Sequence, residues 1–199
     1  MTHSDGESME ATSKKILLAS NSPRRRELLG LIQPSFKIAH LHDIDESYPA
    51  SLPLRDIPTY LSLLKAKSYK DEIDDDEILV TADTVVICED KVLGKPKAFD
   101  DAIAMLKLLR DRTHIVVTGV TLSSSDHTDT FSETTEVTFG HLSDDEISDY
   151  VLSFRPFDKA GSYGIQEWIG CVGITGIKGC FYNVMGLPLH SLYIHLRQF

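Results

Sequence analysis

Three consecutive arginines, Arg24, Arg25 and Arg26, stand directly behind Ser20, Asn21, Ser22 and Pro23. Ser22 suits a helix N-cap and Pro23 the first helical position, which places the arginines in the first helical turn. Cations at that end oppose the helix dipole, by roughly 0.3 to 1 kcal/mol each when exposed. A helix selected for stability alone would carry acids there. Free backbone N–H groups and guanidinium forks together suit a polyphosphate. A solvated basic helix start, with Glu27 as a partner, accounts for the same residues. The turn is not a P-loop, because the glycines and the Gly-Lys-Ser/Thr ending are missing.

Asp83 and Thr84 interrupt an apolar run, Ile78 to Val80 and Val85 to Ile87, so they project from a rigid element. That is where a metal ligand or general base is useful, although buried strand aspartates also serve as structural acceptors. Gly94, Lys95 and Pro96 place a lysine in a tight turn, as a phosphate contact or an ordinary hairpin would. Glu46, within the run Asp43 to Glu46, would complete a carboxylate pair for a hard divalent cation such as magnesium; a surface loop carries the same residues. Lys65 lies on the polar flank of its helix and acts only if a cleft lies beneath it. Asp158 to Gln166 mixes small and polar residues, as expected where backbone approaches a ligand, or where a glycine-rich bend crosses a sheet. His190 and His195 are five apart, off protease metal spacing, and belong to a terminal helix.

The elements that must position these groups follow from periodicity. Ile16 to Ala19 is a short strand, followed by the polar turn and a helix carrying Leu28, Leu29, Leu31 and Ile32. Pro58 to about Lys70 builds a second helix, and the acidic stretch from Asp71 to Glu77 a solvated loop without EF-hand spacing. Asp100 to Arg110 is an amphipathic helix with Ala102, Met105, Leu106 and Leu109 on one stripe. His114 to Leu122 and Phe131 to Phe139 are expected as antiparallel strands. Ser143 and Glu146 form a capping box for the next helix. Glycine-rich strands from about Ile165 to Val184 and a helix from Leu187 end the chain. The order gives an α/β mixed-sheet domain.

With 199 residues and 42% hydrophobic content, one core is expected, over residues 14–199, behind a polar, disordered tail at 1–13. The net charge of -10 repels polyanions, so no nucleic acid polymer is expected as a ligand. Cys88, Cys171 and Cys180 form no CxxC pair, which points to a reducing compartment. No apolar run approaches the roughly 20 residues of a membrane span and no signal peptide is recognisable, so a cytoplasmic protein without a membrane partner is expected.

In their order, these pieces resemble the Maf family of nucleotide pyrophosphatases, from about Ile16 to the C-terminus. They stand as Ser20 to Arg25, Glu46, Lys65 with Ala66, Ala82 to Thr84, Gly94 to Pro96, Asp158 to Gln166, and Asn183 to Pro188. The resemblance implies a single elongated Maf/ITPase-like domain with two lobes around a cleft, often a homodimer. It implies cleavage of nucleoside triphosphates between the α and β phosphates with a divalent metal, magnesium or manganese. Asp83 would be the proton acceptor or a metal ligand, Glu46 would share that work, and Ser20, Arg25, Lys65 and Lys95 would hold phosphates. Arg24, Thr84 and Gln166 match the branch selective for dTTP and UTP. The alternatives are a 7-methyl-GTP or other purine preference, or a nucleotide-binding regulator of septum formation with little turnover. Where the family commonly has Gly after Gln166, this chain has Glu167 and Trp168. Approach of those side chains to the pocket would shift base preference.

Overall fold

The computed structural model describes residues 10–199. Strand β1 (Lys15–Leu18) leads into helix α1 (Pro23–Ile32) and back to β2 (Phe36–Ile38). Helix α2 (Ile57–Lys67) precedes the long β3 (Glu77–Cys88) and the short β4 (Lys91–Leu93). Helix α3 (Phe99–Leu109), strands β5 (Thr113–Ser123) and β6 (Thr128–Phe139), and helix α4 (Asp144–Phe154) follow. The chain closes with α5 (Trp168–Gly173), β7 (Ile174–Lys178), α6 (Phe181–Met185) and α7 (Leu189–Leu196).

Among the described residues these strands make one mixed sheet in the order β2-β1-β3-β5-β6-β7, with β4 paired to β3. Strands β1 and β2 run parallel, and β3, β5, β6 and β7 are antiparallel neighbours. The decisive feature is how β3 is shared. Strand β5 takes one edge over residues 79–87. On the other edge β1 ends opposite Val80, and β4, running antiparallel from Cys88, ends opposite Val86. Residues 81–85 therefore face no strand on that edge among the described residues, and the gap opens into a cleft. Buried clusters flank it, one with Leu18, Leu29, Val80 and Leu192, the other with Val86, Leu106, Phe139 and Tyr150.

Helix α2 closes one face of the gap. Gly119 lies opposite Asp83 in the β3–β5 register, and a Cβ there would come within 2.4 Å of the Pro58 carbonyl carbon. Its absence lets the first turn of α2 rest on the strand backbone.

The expected mixed sheet is present, with local differences. The expected interruption at Ala82 to Thr84 is a continuous strand, because one-edge pairing to β5 suffices to hold it. The turn between β3 and β4 is made by Glu89 and Asp90, both at positive φ, and Gly94 to Pro96 follows β4 as irregular chain. From Ile165 to Val184 only β7 is a strand; Ile165, just before α5, and Ile169, within it, are buried in one cluster. Glu77, read as the end of the acidic loop, is buried at the start of β3 and pairs with Lys37 at 3.2 Å. Of the tail expected at 1–13, residues 1–9 lie outside the described residues. Ala11 is buried, and its N–H donates to the Ile32 carbonyl at 3.1 Å and to Gln33 Oε1 at 2.9 Å. No described helix is long and apolar enough to cross a membrane.

Candidate active site

A cleft of about 600 Å³ lies over the open edge of β3 and is lined by every residue to which the resemblance gives a role: Ser20, Arg24, Arg25, Glu46, Lys65, Asp83, Thr84, Lys95 and Gln166. They come from the β1–α1 turn, the first turn of α1, the β2–α2 connection, α2, β3, the chain after β4 and the segment before α5. The topology alone brings them together.

The floor is an ion triad. Nζ of Lys65 lies 2.7 Å from Oδ1 of Asp83 and 3.1 Å from Oε1 of Glu46. Lysine and aspartate are largely withdrawn from water, at 16% and 15% side-chain exposure, whereas Glu46 at 55% lies at the mouth. Low exposure strengthens the Coulomb attraction and makes the pair costly to break. Two carboxylate groups converging on one cationic nitrogen also form a hard oxygen set. No cluster of three or more His, Cys, Asp or Glu with metal-holding geometry exists among the described residues. Two carboxylates are what a magnesium ion takes from a protein when phosphates and water complete its shell, so the donors fit such a cation.

Helix α1 begins as expected. Ser22 is the N-cap and accepts from the Arg25 N–H, and Pro23 holds the first position. The three arginines then separate in role. Nη1 of Arg24 meets Oδ2 of Asp158 at 2.6 Å, across 134 positions of sequence. Arg25 turns inward: Nε donates to the Gly186 carbonyl at 2.8 Å, Nη1 to the Ala82 carbonyl at 2.9 Å and Nη2 to Thr84 Oγ1 at 3.0 Å. Burial pulls its pKa down, with Asp83 opposing that. Arg25 thus grips β3 on both sides of Asp83, and two of its five N–H groups remain for a ligand. Gly186 stands at φ 110°, a backbone conformation that side-chain-bearing residues rarely adopt, and this turn aims its carbonyl at the guanidinium. Arg26 reaches the Ser20 carbonyl.

Ser20 is buried, its hydroxyl accepting from the Ser22 N–H at 3.2 Å. Lys95 is exposed and forms no ion pair among the described residues, which leaves its ammonium for an anion. Gln166 is exposed and lines the same cleft.

Lys159, within the Asp158 to Gln166 run and without a role read from sequence, also lines the cleft. Its ammonium, 10% exposed, lies 2.8 Å from Asp158 Oδ1 and 3.0 Å from Glu167 Oε1. Burial works against the Asp158 carboxylate, yet hydrogen bonds from Lys159 and Arg24 overcome it and bring its pKa down to about 2. Glu167 also accepts from the Tyr150 hydroxyl, and burial with that carboxylate pushes Tyr150 above the usual phenol range. Glu167 does not line the cleft but touches its lining residues Lys159 and Gly164; Trp168 lies outside it as well. His42 adds a wall, stacked on Tyr69 at 4.1 Å and bonded to Glu72 at 2.9 Å.

A family model described as Maf-like protein matches residues 15–199. A protein of Parabacteroides distasonis named dTTP/UTP pyrophosphatase is 50% identical, over 93% of this chain and 96% of its own. One of the same name from Porphyromonas gingivalis is also 50% identical, over 93% and 94%. A solved HAM1 protein from Coxiella burnetii is similar at 14% identity over 94% of this chain and 100% of its own, with a TM-score of 0.49.

Proposed function

The chain belongs to the Maf family, and from that footing we propose that it hydrolyses nucleoside triphosphates, dTTP and UTP foremost, to the monophosphate and pyrophosphate. The observation that carries this is the Lys65 ammonium bridging Asp83 and Glu46 on the floor of a cleft that also holds Lys95. Relatives with half their residues identical over nearly their whole length bear the same name.

Water attacks the α-phosphorus. A new P–O bond forms, the bond to the bridging oxygen of the β-phosphate breaks, and the proton released by water passes to Asp83. Pyrophosphate leaves as an anion, so neutralising charge on the transferring group is the main task. Lys65 and Lys95 meet phosphate oxygens, with the Ser20 hydroxyl and the remaining N–H groups of Arg25 behind them. Arg25 also fixes β3, and hence Asp83, against movement as charge develops. Asp83 and Glu46 would hold a magnesium or manganese ion, which when bound supplies further charge neutralisation at the phosphates. Arg24, Thr84 and Gln166 face the nucleoside.

The expected homodimer finds support in an apolar surface hollow bounded by Leu31, Ile32, Tyr182, Leu189, His190 and Tyr193, with Leu31 56% exposed. Three free cysteines support a reducing, cytoplasmic setting.

Incubation with magnesium and a panel of triphosphates, with both products quantified, tests the proposal. Equal amounts of dTMP and pyrophosphate from dTTP are expected. Orthophosphate as the product, or tight binding without product over hours, would overturn it.

A further inference from the structure

The Thr84 hydroxyl is one link in a hydrogen-bonded chain whose direction follows from donor and acceptor chemistry. At its inner end, Oγ1 of Thr118 lies 3.1 Å from the carbonyl oxygen of Asn183. A carbonyl only accepts, so the single hydroxyl hydrogen of Thr118 is committed there. The Oγ1 atoms of Thr118 and Thr84 are 2.9 Å apart. With Thr118's hydrogen already placed, Thr84 is the donor between them. On its other side Thr84 accepts from Nη2 of Arg25 at 3.0 Å. A hydroxyl has one hydrogen and two lone pairs. The hydrogen and one lone pair are taken, so Thr84 offers the cleft one acceptor and no donor.

The surroundings hold this direction in place. Thr118 and Asn183 are fully buried, and Asn183 Nδ2 donates to the Val116 carbonyl at 3.1 Å and to Thr135 Oγ1 at 2.9 Å. The Asn183 carbonyl also accepts the Gly186 N–H at 2.9 Å, while the Gly186 carbonyl accepts Nε of Arg25. If Thr84 turned its hydrogen outward, it would abandon the only donor that Thr118's oxygen receives from β3.

We propose that Thr118 and Asn183 are positioning residues that keep Thr84 an acceptor, so that the cleft takes a pyrimidine whose pairing edge presents N3–H, uracil or thymine, and rejects cytosine. This rests on the pyrophosphatase assignment above, with the base edge against Thr84. The N3 of cytosine is itself an acceptor, and two acceptors brought together leave both unpaired. Sites built to bond a group discriminate strongly against an analogue lacking it.

The test compares kcat/KM for dTTP and 5-methyl-dCTP, which differ only at N3 and the 4-position, by pyrophosphate release. Wild-type protein is expected to favour dTTP by about tenfold or more. Thr118→Val keeps the shape, removes the oxygen and frees Thr84's hydrogen, so the ratio falls towards unity through faster turnover of 5-methyl-dCTP. Thr118→Ser restores the preference. A merely structural role would lower both substrates in step. An unchanged ratio in Thr118→Val, or wild-type turnover of 5-methyl-dCTP equal to or above that of dTTP, overturns the proposal and leaves the pyrophosphatase assignment standing. Absence of pyrophosphate from every triphosphate removes that assignment instead. Should Thr118→Val fail to fold, wild-type protein with N3-methyl-UTP decides. That substrate is expected to be at least as poor as CTP, and full turnover of it overturns the proposal.

Discussion

Lys65 donates to Asp83 across 2.7 Å at the one stretch of β3 whose outer edge is unpaired by any described strand. The same ammonium holds Glu46 at 3.1 Å, so two carboxylates that would repel each other are kept facing one point. Lys65→Met should let them separate and leave a buried carboxylate without its cation. A fall in kcat of about a hundredfold is expected, in line with the loss of one positioned charge. Steady-state pyrophosphate release checks it, with circular dichroism showing that the fold persists. Unchanged kcat would remove the triad from the chemistry.

Arg25 links three acceptors on α6's exit and β3, which a lysine's single ammonium does not span. Arg25→Lys leaves at least one buried acceptor unmet, and urea unfolding should show a loss of roughly 1 to 3 kcal/mol. Because Asp83 then moves, kcat should fall more than KM rises. A raised KM with unaltered stability would make Arg25 a phosphate clamp alone.

The bridge from Arg24 to Asp158 must open if the guanidinium is to meet substrate. Asp158→Asn should therefore lower KM for dTTP several-fold; it also takes the carboxylate from Lys159, so some stability is lost, moderated by the 54% exposure of Asp158 itself. The sign with pH is fixed: a carboxyl held at about 2 in the folded protein stabilises above its unfolded value near 3.8 and loses that contribution as pH falls towards 2. Between pH 5 and 9 the KM difference between Asp158→Asn and wild type should be constant. A difference that grows or vanishes within that window would contradict the assignment.

His114 is buried on β5, with Nε2 2.7 Å from the Tyr163 hydroxyl and Nδ1 without a hydrogen-bond partner among the described residues. Burial lowers its pKa to about 4 from an ordinary 6.5. The unfolded chain therefore binds a proton that the folded chain refuses, and stability falls as pH drops from 6.5 towards 4. The loss is roughly 1 to 2 kcal/mol between pH 6.5 and 5. Urea titrations at both pH values should show it in wild type and not in His114→Gln.

What could be read from sequence depended on how far apart the cooperating residues lie. Ser22 with Pro23, and Ser143 with Glu146, act within one helical turn, and both caps are present where expected. Thr113–Ser123 and Thr128–Phe139 pair across a short turn, so their alternation was legible. The short run around Ile165 and Ile169 was not, because few apolar residues serve a strand and a helical turn equally. Lys159 escaped assignment for a different reason. Its partner Glu167 is eight residues on, and its relation to Arg24 passes through Asp158, with 134 positions between the latter two. Arg25 carried only part of its role in its local signal. Its charge at a helix start suggests an anion, and only the fold reveals the carbonyls of Ala82 and Gly186 in front of it.

Hydrolysis of dTTP in ¹⁸O-labelled water tests the central claim most directly. If Asp83 directs water to the α-phosphorus, mass spectrometry should find the label in dTMP and none in pyrophosphate, and Asp83→Asn should abolish both products. Label in pyrophosphate or in orthophosphate, or undiminished hydrolysis by Asp83→Asn, would contradict it.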